Sequence, residues 1–197
     1  MYLCLWAWVN GTGKTVTSLN VFKKFNTEKI LIICLISKMN DWKEDLKDEC
    51  NIDAVILDKG STKNKQMVEN SDTTAFIINF ESAWRCDNLL KWVDRNTTVL
   101  IDESHLIKNP TSKIGRFCRL LSCKTKHKLI LTGTPQSQGY IDYYNQLYFC
   151  DLNLNISYIF IPLKSCSISP EFNSKLNNFV KFVLALPNLL ASSILIF

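Results

Sequence analysis

The stretch Val99-Leu100-Ile101-Asp102-Glu103-Ser104-His105 constrains the fold of this chain more than any other. A short apolar run passes directly into two carboxylates, a hydroxyl and an imidazole. Such a run reads as a buried strand whose carboxyl end delivers polar groups to a site. Ligands of open α/β sheets bind outside the carboxyl ends of the strands, so Asp102 and Glu103 are predicted to stand where a ligand would. Upstream, Gly11-Thr12-Gly13-Lys14-Thr15 offers the complementary half. Its flexible backbone lets N–H groups cradle phosphate, Lys14 adds positive charge, and Thr15 brings a hydroxyl suited to magnesium. Together the two stretches describe a site for a nucleoside triphosphate.

The remaining pattern alternates strand and helix. Residues 1–9 are apolar and lead straight into the glycine loop, as a first buried strand would. Lacking a basic n-region, they do not read as a signal peptide. Residues 14–25 carry Val16, Leu19, Val21, Phe22 and Phe25 among lysines, the mark of a helix opening at the loop and partly buried on a sheet. Further strands are predicted at 30–36, 54–57, 74–78, 99–102 and 128–131. Helices are expected to follow Asn40 or Asp41 as cap, after Asn79, after the Asn109-Pro110-Thr111-Ser112 turn, and through residues 140–148. Residues 59–66 read as a surface loop or helix start. The third of these helices presents Ile114, Phe117, Cys118 and Leu121 on one face. This alternation predicts a parallel α/β sheet with helices on both faces and right-handed crossovers.

Charge and cysteine usage narrow the setting. The formal net charge is +5, which is mild, but no carboxylate lies between Glu103 and Asp142 while Lys108, Lys113, Arg116, Arg119, Lys124, Lys126 and Lys128 all do. Taken alone, that run is a solvated face. The eight cysteines are scattered, without a C-x-x-C pair, and there are two histidines. This usage fits reduced thiols packed as small hydrophobes in a cytoplasmic or nuclear compartment, rather than a disulfide framework or a zinc site. Charge density falls by about half after residue 150, with 20 basic and 16 acidic side chains before that point and 3 and 2 after it. The domain is therefore expected to span 1–150, leaving 151–197 as an apolar, low-charge tail. After Lys181 the tail runs 16 residues interrupted by Pro187 and Asn188, short of the roughly 20 that cross a bilayer.

The order of motifs is more specific than any one of them. A phosphate loop opens a helix, a strand ends in Asp-Glu about 90 residues later, and another ends in Thr-Gly-Thr-Pro about 30 residues further on. In this the chain resembles the N-terminal RecA-like ATP-binding lobe of the Swi/Snf-type ATPases of helicase superfamily two, over residues 7–150. The resemblance rests on Gly11-Thr12-Gly13-Lys14-Thr15 as motif I, on residues 31–37 followed by Trp42-Lys43-Glu44 as motif Ia, and on Ile78-Asn79-Phe80-Glu81-Ser82. It rests above all on residues 101–109, IDESHLIKN, as a DEAH-box type motif II, joined to Leu131-Thr132-Gly133-Thr134-Pro135 as motif III. Departures are Trp8 and Val9-Asn10 ahead of motif I, Leu35 in motif Ia and Gln138 after motif III.

The resemblance implies a P-loop NTPase, RecA-like parallel sheet and a DNA translocase or helicase-related ATPase using ATP and Mg²⁺. Gly11, Thr12, Gly13, Lys14 and Thr15 would bind the phosphates, and Thr15 and Asp102 the magnesium. Glu103 would orient or deprotonate the attacking water, with Lys14 and Asp102 completing the catalytic set. His105, Thr132, Gly133 and Thr134 would couple the γ-phosphate state to lobe movement. Ser37, Asn79, Lys108, Lys113 and Arg116 would contact double-stranded DNA. Trp42 and Trp84 lie on apolar helix faces and read as core, with base stacking the alternative. An arginine finger is expected from a second RecA-like lobe, so this chain alone is expected to be at best a very slow ATPase. The tail is expected to mark a truncation or frameshift near Cys150. Two other readings are a complete, non-catalytic nucleotide- or DNA-binding module and a tail-anchored membrane protein.

Overall fold

The computed structural model describes residues 2–7, 13–133 and 141–150. All of them belong to one compact unit. In chain order the elements are β1 (Tyr2–Ala7), α1 (Lys14–Phe25), β2 (Lys29–Cys34), α2 (Met39–Cys50), β3 (Val55–Leu57), α3 (Ser61–Asn70), β4 (Ala75–Asn79), α4 (Phe80–Ala83), α5 (Asn88–Trp92), β5 (Thr97–Ile101), α6 (Lys113–Lys124), β6 (His127–Thr132) and α7 (Ile141–Cys150). Two 3-10 turns, Ile36–Lys38 and Ser104–Ile107, follow β2 and β5.

The strands form one sheet in the order β1-β6-β5-β2-β4-β3, and every pair is parallel. Parallel pairing requires a crossover between successive strands, and the amphipathic segments supply it as helices. Alternate residues of each strand then face opposite layers. Leu31, Ile33, Phe76, Ile78, Val99, Ile101 and Ile130 join Leu89 of α5, Phe117 and Leu121 of α6 and Phe149 of α7 in one buried cluster. Their neighbours Ile30, Ile32, Ile77, Leu100, Leu129 and Leu131 lie outside that cluster and are also buried, as are Leu19 and Phe22 of α1 and Trp42 and Leu46 of α2. A sheet covered on both faces has no use for polar alternation, which is why its strands read as continuous apolar runs.

Several boundaries differ from those predicted. The second apolar run was expected to stay in the sheet to Ile36, but β2 ends at Cys34 and the chain turns out of the sheet, leaving Leu35 and Ile36 41% and 71% exposed. Neither Asn40 nor Asp41 caps α2: the 3-10 turn feeds the helix directly, Lys38 is its N-cap, and Asn40 and Asp41 fall inside the first turn. Residues 59–66 contain a helix start, the second of the two readings offered for them, with α3 opening at Ser61, whereas α5 was not anticipated. The last helix runs Ile141–Cys150; Tyr140, with which it was expected to begin, lies outside the described residues. The Ser112 cap is as expected, its hydroxyl accepting the Gly115 N–H at 3.0 Å. The tail, 151–197, lies outside the described residues, and the expected boundary at 150 with it.

Candidate functional site

Parallel strands bring all their carboxyl ends to one edge, and the register lines up the motifs there. Ala7 pairs with Thr132, Ile130 with Ile101, Ile101 with Ile33, and Cys34 with Asn79. The segments after β6, β5, β2 and β4 therefore leave the sheet side by side, next to the end of β1. The ladder extends one residue past β5, because the Asp102 N–H donates to the Ile33 carbonyl at 2.9 Å. That bond fixes Asp102 at the lip of the edge.

The phosphate-loop side is built by α1. Gly13 is its N-cap with φ +79°, a left-handed conformation that glycine alone adopts without penalty. Space is not the constraint, since a Cβ there would touch nothing. The first turn of the helix carries no acidic residue, so the N–H groups of that turn and the positive end of the helix dipole are presented together. Lys14 and Thr15, both half-buried, open the helix. The Thr15 carbonyl accepts the Ser18 hydroxyl and the Gly13 carbonyl the Thr17 hydroxyl, which tightens the turn. Gly11 and Thr12 lie outside the described residues.

Motif II is held from three directions. Asp102 Oδ1 accepts the N–H of Glu103 at 3.0 Å, and Oδ2 accepts the indole N–H of Trp42 at 3.0 Å. Glu103 turns the chain with φ +56° into the 3-10 turn. Its Oε2 lies 3.2 Å from His105 Nδ1, and the same nitrogen is 3.4 Å from the hydroxyl of Thr132. Ser104 points the other way and donates to Gln146 Oε1 of α7 at 2.7 Å, with both residues buried. Beneath Asp102, burial and then the negative charges of Asp102 and Asp41 push the Cys34 thiol up to about 12. It is a space-filling group.

Asp102, Glu103, His105 and Thr132 are thus drawn together at the sheet edge, and Gly133 follows β6 half-buried. Thr134 lies outside the described residues. The residues expected on the DNA side occupy varied settings. Ser37 is exposed in the 3-10 turn after β2, and Lys108 is half-buried. Asn79 is buried and caps α4, its Oδ1 accepting the Ser82 N–H at 2.9 Å. Lys113 and Arg116 are exposed on α6. Lys113 Nζ sits 4.5 Å from the ring centre of Trp84, which Arg85 also covers at 4.8 Å. Trp42 is 2% exposed and is a core residue as expected, whereas Trp84 is half-buried and packs against the edge of the main core cluster. The sequence reading missed Trp42 as a partner of Asp102, together with the buried Asn145-Gln146 pair. Two adjacent amides within a helix rich in aromatic residues were the available signal for the latter.

Residues 4–156 match the SNF2-related domain family. The chain belongs to that family. Among individual relatives, this SNF2-related domain is 24% identical over 159 residues to a Caenorhabditis elegans SWI/SNF-related matrix-associated actin-dependent regulator of chromatin subfamily A-like protein 1 homolog, covering 79% of this chain and 23% of that protein. It is 26% identical over 171 residues to human chromodomain-helicase-DNA-binding protein 9, covering 75% of this chain and 6% of that protein. The chain therefore spans less than a quarter of the length of either relative. In structure, the SNF2-related domain is similar to the Sulfolobus solfataricus SWI2/SNF2 ATPase core in complex with dsDNA, with a TM-score of 0.68 and 26% identity over 92% of this chain and 36% of that one. The RecA-like fold expected from the motifs is the fold observed. No helix among the described residues is long and apolar enough to cross a membrane.

Proposed function

We propose that residues 1–150 form the ATP-binding lobe of a DNA translocase. In this reading Gly11–Thr15 and the α1 N-terminus hold the triphosphate of ATP, and Lys14 neutralises its outer charge. Thr15 and Asp102 hold Mg²⁺, Asp102 through water, since this ion keeps much of its hydration. The donor set suits the ion: Asp102 is half-buried, and each of its oxygens accepts one hydrogen bond and retains acceptor capacity. When bound, the ion shields the phosphate charge. Glu103 orients the attacking water, while His105, bonded towards both Glu103 and Thr132, links that carboxylate to the segment after β6. Ser37, Asn79, Lys108, Lys113 and Arg116 serve duplex DNA, a second RecA-like lobe completes the cleft in the working enzyme, and the setting is nuclear or cytoplasmic.

The observation that carries the reading is the shared edge: the strand leading to the glycine loop, the Asp-Glu strand and the Thr-Gly strand end side by side. A fold without nucleotide chemistry has no need for two carboxylates, a histidine and a threonine to converge there. The test is equilibrium binding of ATP with Mg²⁺ to the full chain. Lys14→Ala removes a charged hydrogen-bond donor and is expected to weaken binding by about 1.5–3 kcal/mol, roughly tenfold to a hundredfold. Equal affinity in the variant and the parent overturns the site assignment.

A further inference from the structure

We propose that Trp42 is a positioning residue for the metal-side carboxylate, fixing the orientation of Asp102 without neutralising it. The inference rests on the reading of Asp102 as the Mg²⁺ ligand. Trp42 stands in the first turn of α2, 2% exposed, with its Nε1–H 3.0 Å from Asp102 Oδ2. A buried indole N–H needs an acceptor, but any main-chain carbonyl would satisfy it. Here the acceptor is the carboxylate at the lip of the sheet edge. The other oxygen, Oδ1, is held by the Glu103 N–H at 3.0 Å. With one donor on each oxygen, the carboxylate plane cannot rotate without breaking a charge-assisted bond.

The chemistry of the donor matters as much as its place. Among the described residues no ammonium or guanidinium lies within ion-pair distance of Asp102. An arginine or lysine would orient the carboxylate equally well but would offset its charge and compete with an incoming cation. The indole N–H is neutral, so it brings no positive charge to Asp102, and each oxygen keeps acceptor capacity on the side away from its donor. Outer-shell partners that orient a metal ligand in this way typically contribute 10–100-fold to metal affinity.

The test uses the ¹⁵N-labelled full chain, whose five tryptophans give five indole N–H signals; that of Trp42 is assigned by its loss in Trp42→Phe. Asp102→Asn is expected to move this signal, and Mg²⁺ with ATP to move it in the parent but not in Asp102→Asn. Trp42→Phe keeps the ring and removes the donor, so Mg²⁺-dependent ATP binding should weaken roughly 10–100-fold, while ATP binding in EDTA is unchanged. A Trp42 signal that ignores Asp102→Asn, or a folded Trp42→Phe that binds Mg²⁺ and ATP like the parent, overturns the proposal. If Trp42→Phe does not fold, the response of the parent signal to Asp102→Asn and to Mg²⁺ decides. Loss of binding in Asp102→Asn with none in Trp42→Phe refutes the positioning role alone. Parental binding in Asp102→Asn, or no binding by the parent, removes the metal-site reading and the positioning role with it.

Discussion

Gly115 lies in the first turn of α6, where replacing glycine by alanine ordinarily gains about 1 kcal/mol of helix propensity. Here the sign should reverse. A Cβ at Gly115 would meet the Asn109 carbonyl oxygen well inside contact distance, Ser112 Oγ at 2.9 Å and Asn145 Nδ2 at 3.1 Å. The Asn109 carbonyl cannot retreat freely, because it accepts the Ser112 hydroxyl at 2.7 Å and the Ser112 N–H at 3.3 Å. Ser112 in turn caps the helix through the Gly115 N–H. On the other side, Asn145 Nδ2 is committed to the Ile107 carbonyl. Overpacking of this kind costs about 1–3 kcal/mol, and disturbing the cap adds about 1 kcal/mol. Set against the propensity gain, Gly115→Ala should destabilise the domain by about 1–3 kcal/mol, with an unchanged urea m-value. Urea unfolding followed by circular dichroism measures it. A variant as stable as the parent, or more so, would refute the packing argument.

Two further outcomes follow from the polar groups. Ser104→Ala leaves buried Gln146 Oε1 without its 2.7 Å donor and should cost about 1–3 kcal/mol; adding Gln146→Leu should recover part of that loss, and strictly additive effects in the double-mutant cycle would show that the pair is not coupled. At His127, desolvation and then nearby positive charge, including Lys126, hold the imidazole below its ordinary value of 6.5. The unfolded chain therefore binds the proton more readily, so stability is full above that value and declines as pH falls through the lower folded pKa. His127→Gln should flatten this part of the profile, and thermal melts at about pH 7.5 and about pH 5.5 that show the same acid loss in both proteins would exclude His127 as its source.

The strand ends were legible because an apolar run stopping at Asp-Glu or Thr-Gly marks a sheet edge without any knowledge of the partner strands. Helix α1 was equally plain, opened by a glycine and periodic to Phe25. Where hydrophobicity and burial part company, the reading failed. Leu35 and Ile36 are apolar yet outside the sheet, whereas Thr97, Thr98 and Lys128 are polar yet buried within strands. The two threonines find partners that no pattern announces, Thr98 meeting the Thr27 hydroxyl at 2.7 Å and Thr97 joining Asp94 at 2.9 Å. Trp42 could be placed in the core from its helical face, but its N–H reaches a carboxylate sixty residues away in sequence. Pairing at that distance depends on how far α2 leans over the sheet edge, which is a property of packing.

The left-handed backbone at Glu103 sets the fold and its chemistry against each other. A non-glycine residue in that conformation costs roughly 1–2 kcal/mol, and glycine or asparagine would relieve the cost while erasing the carboxylate. Selection for stability alone would drift away from glutamate at this position. A stability screen of this domain that returns glycine or asparagine at 103 would therefore be enriching the best-folded members of its library while discarding a carboxylate on which the proposed function depends.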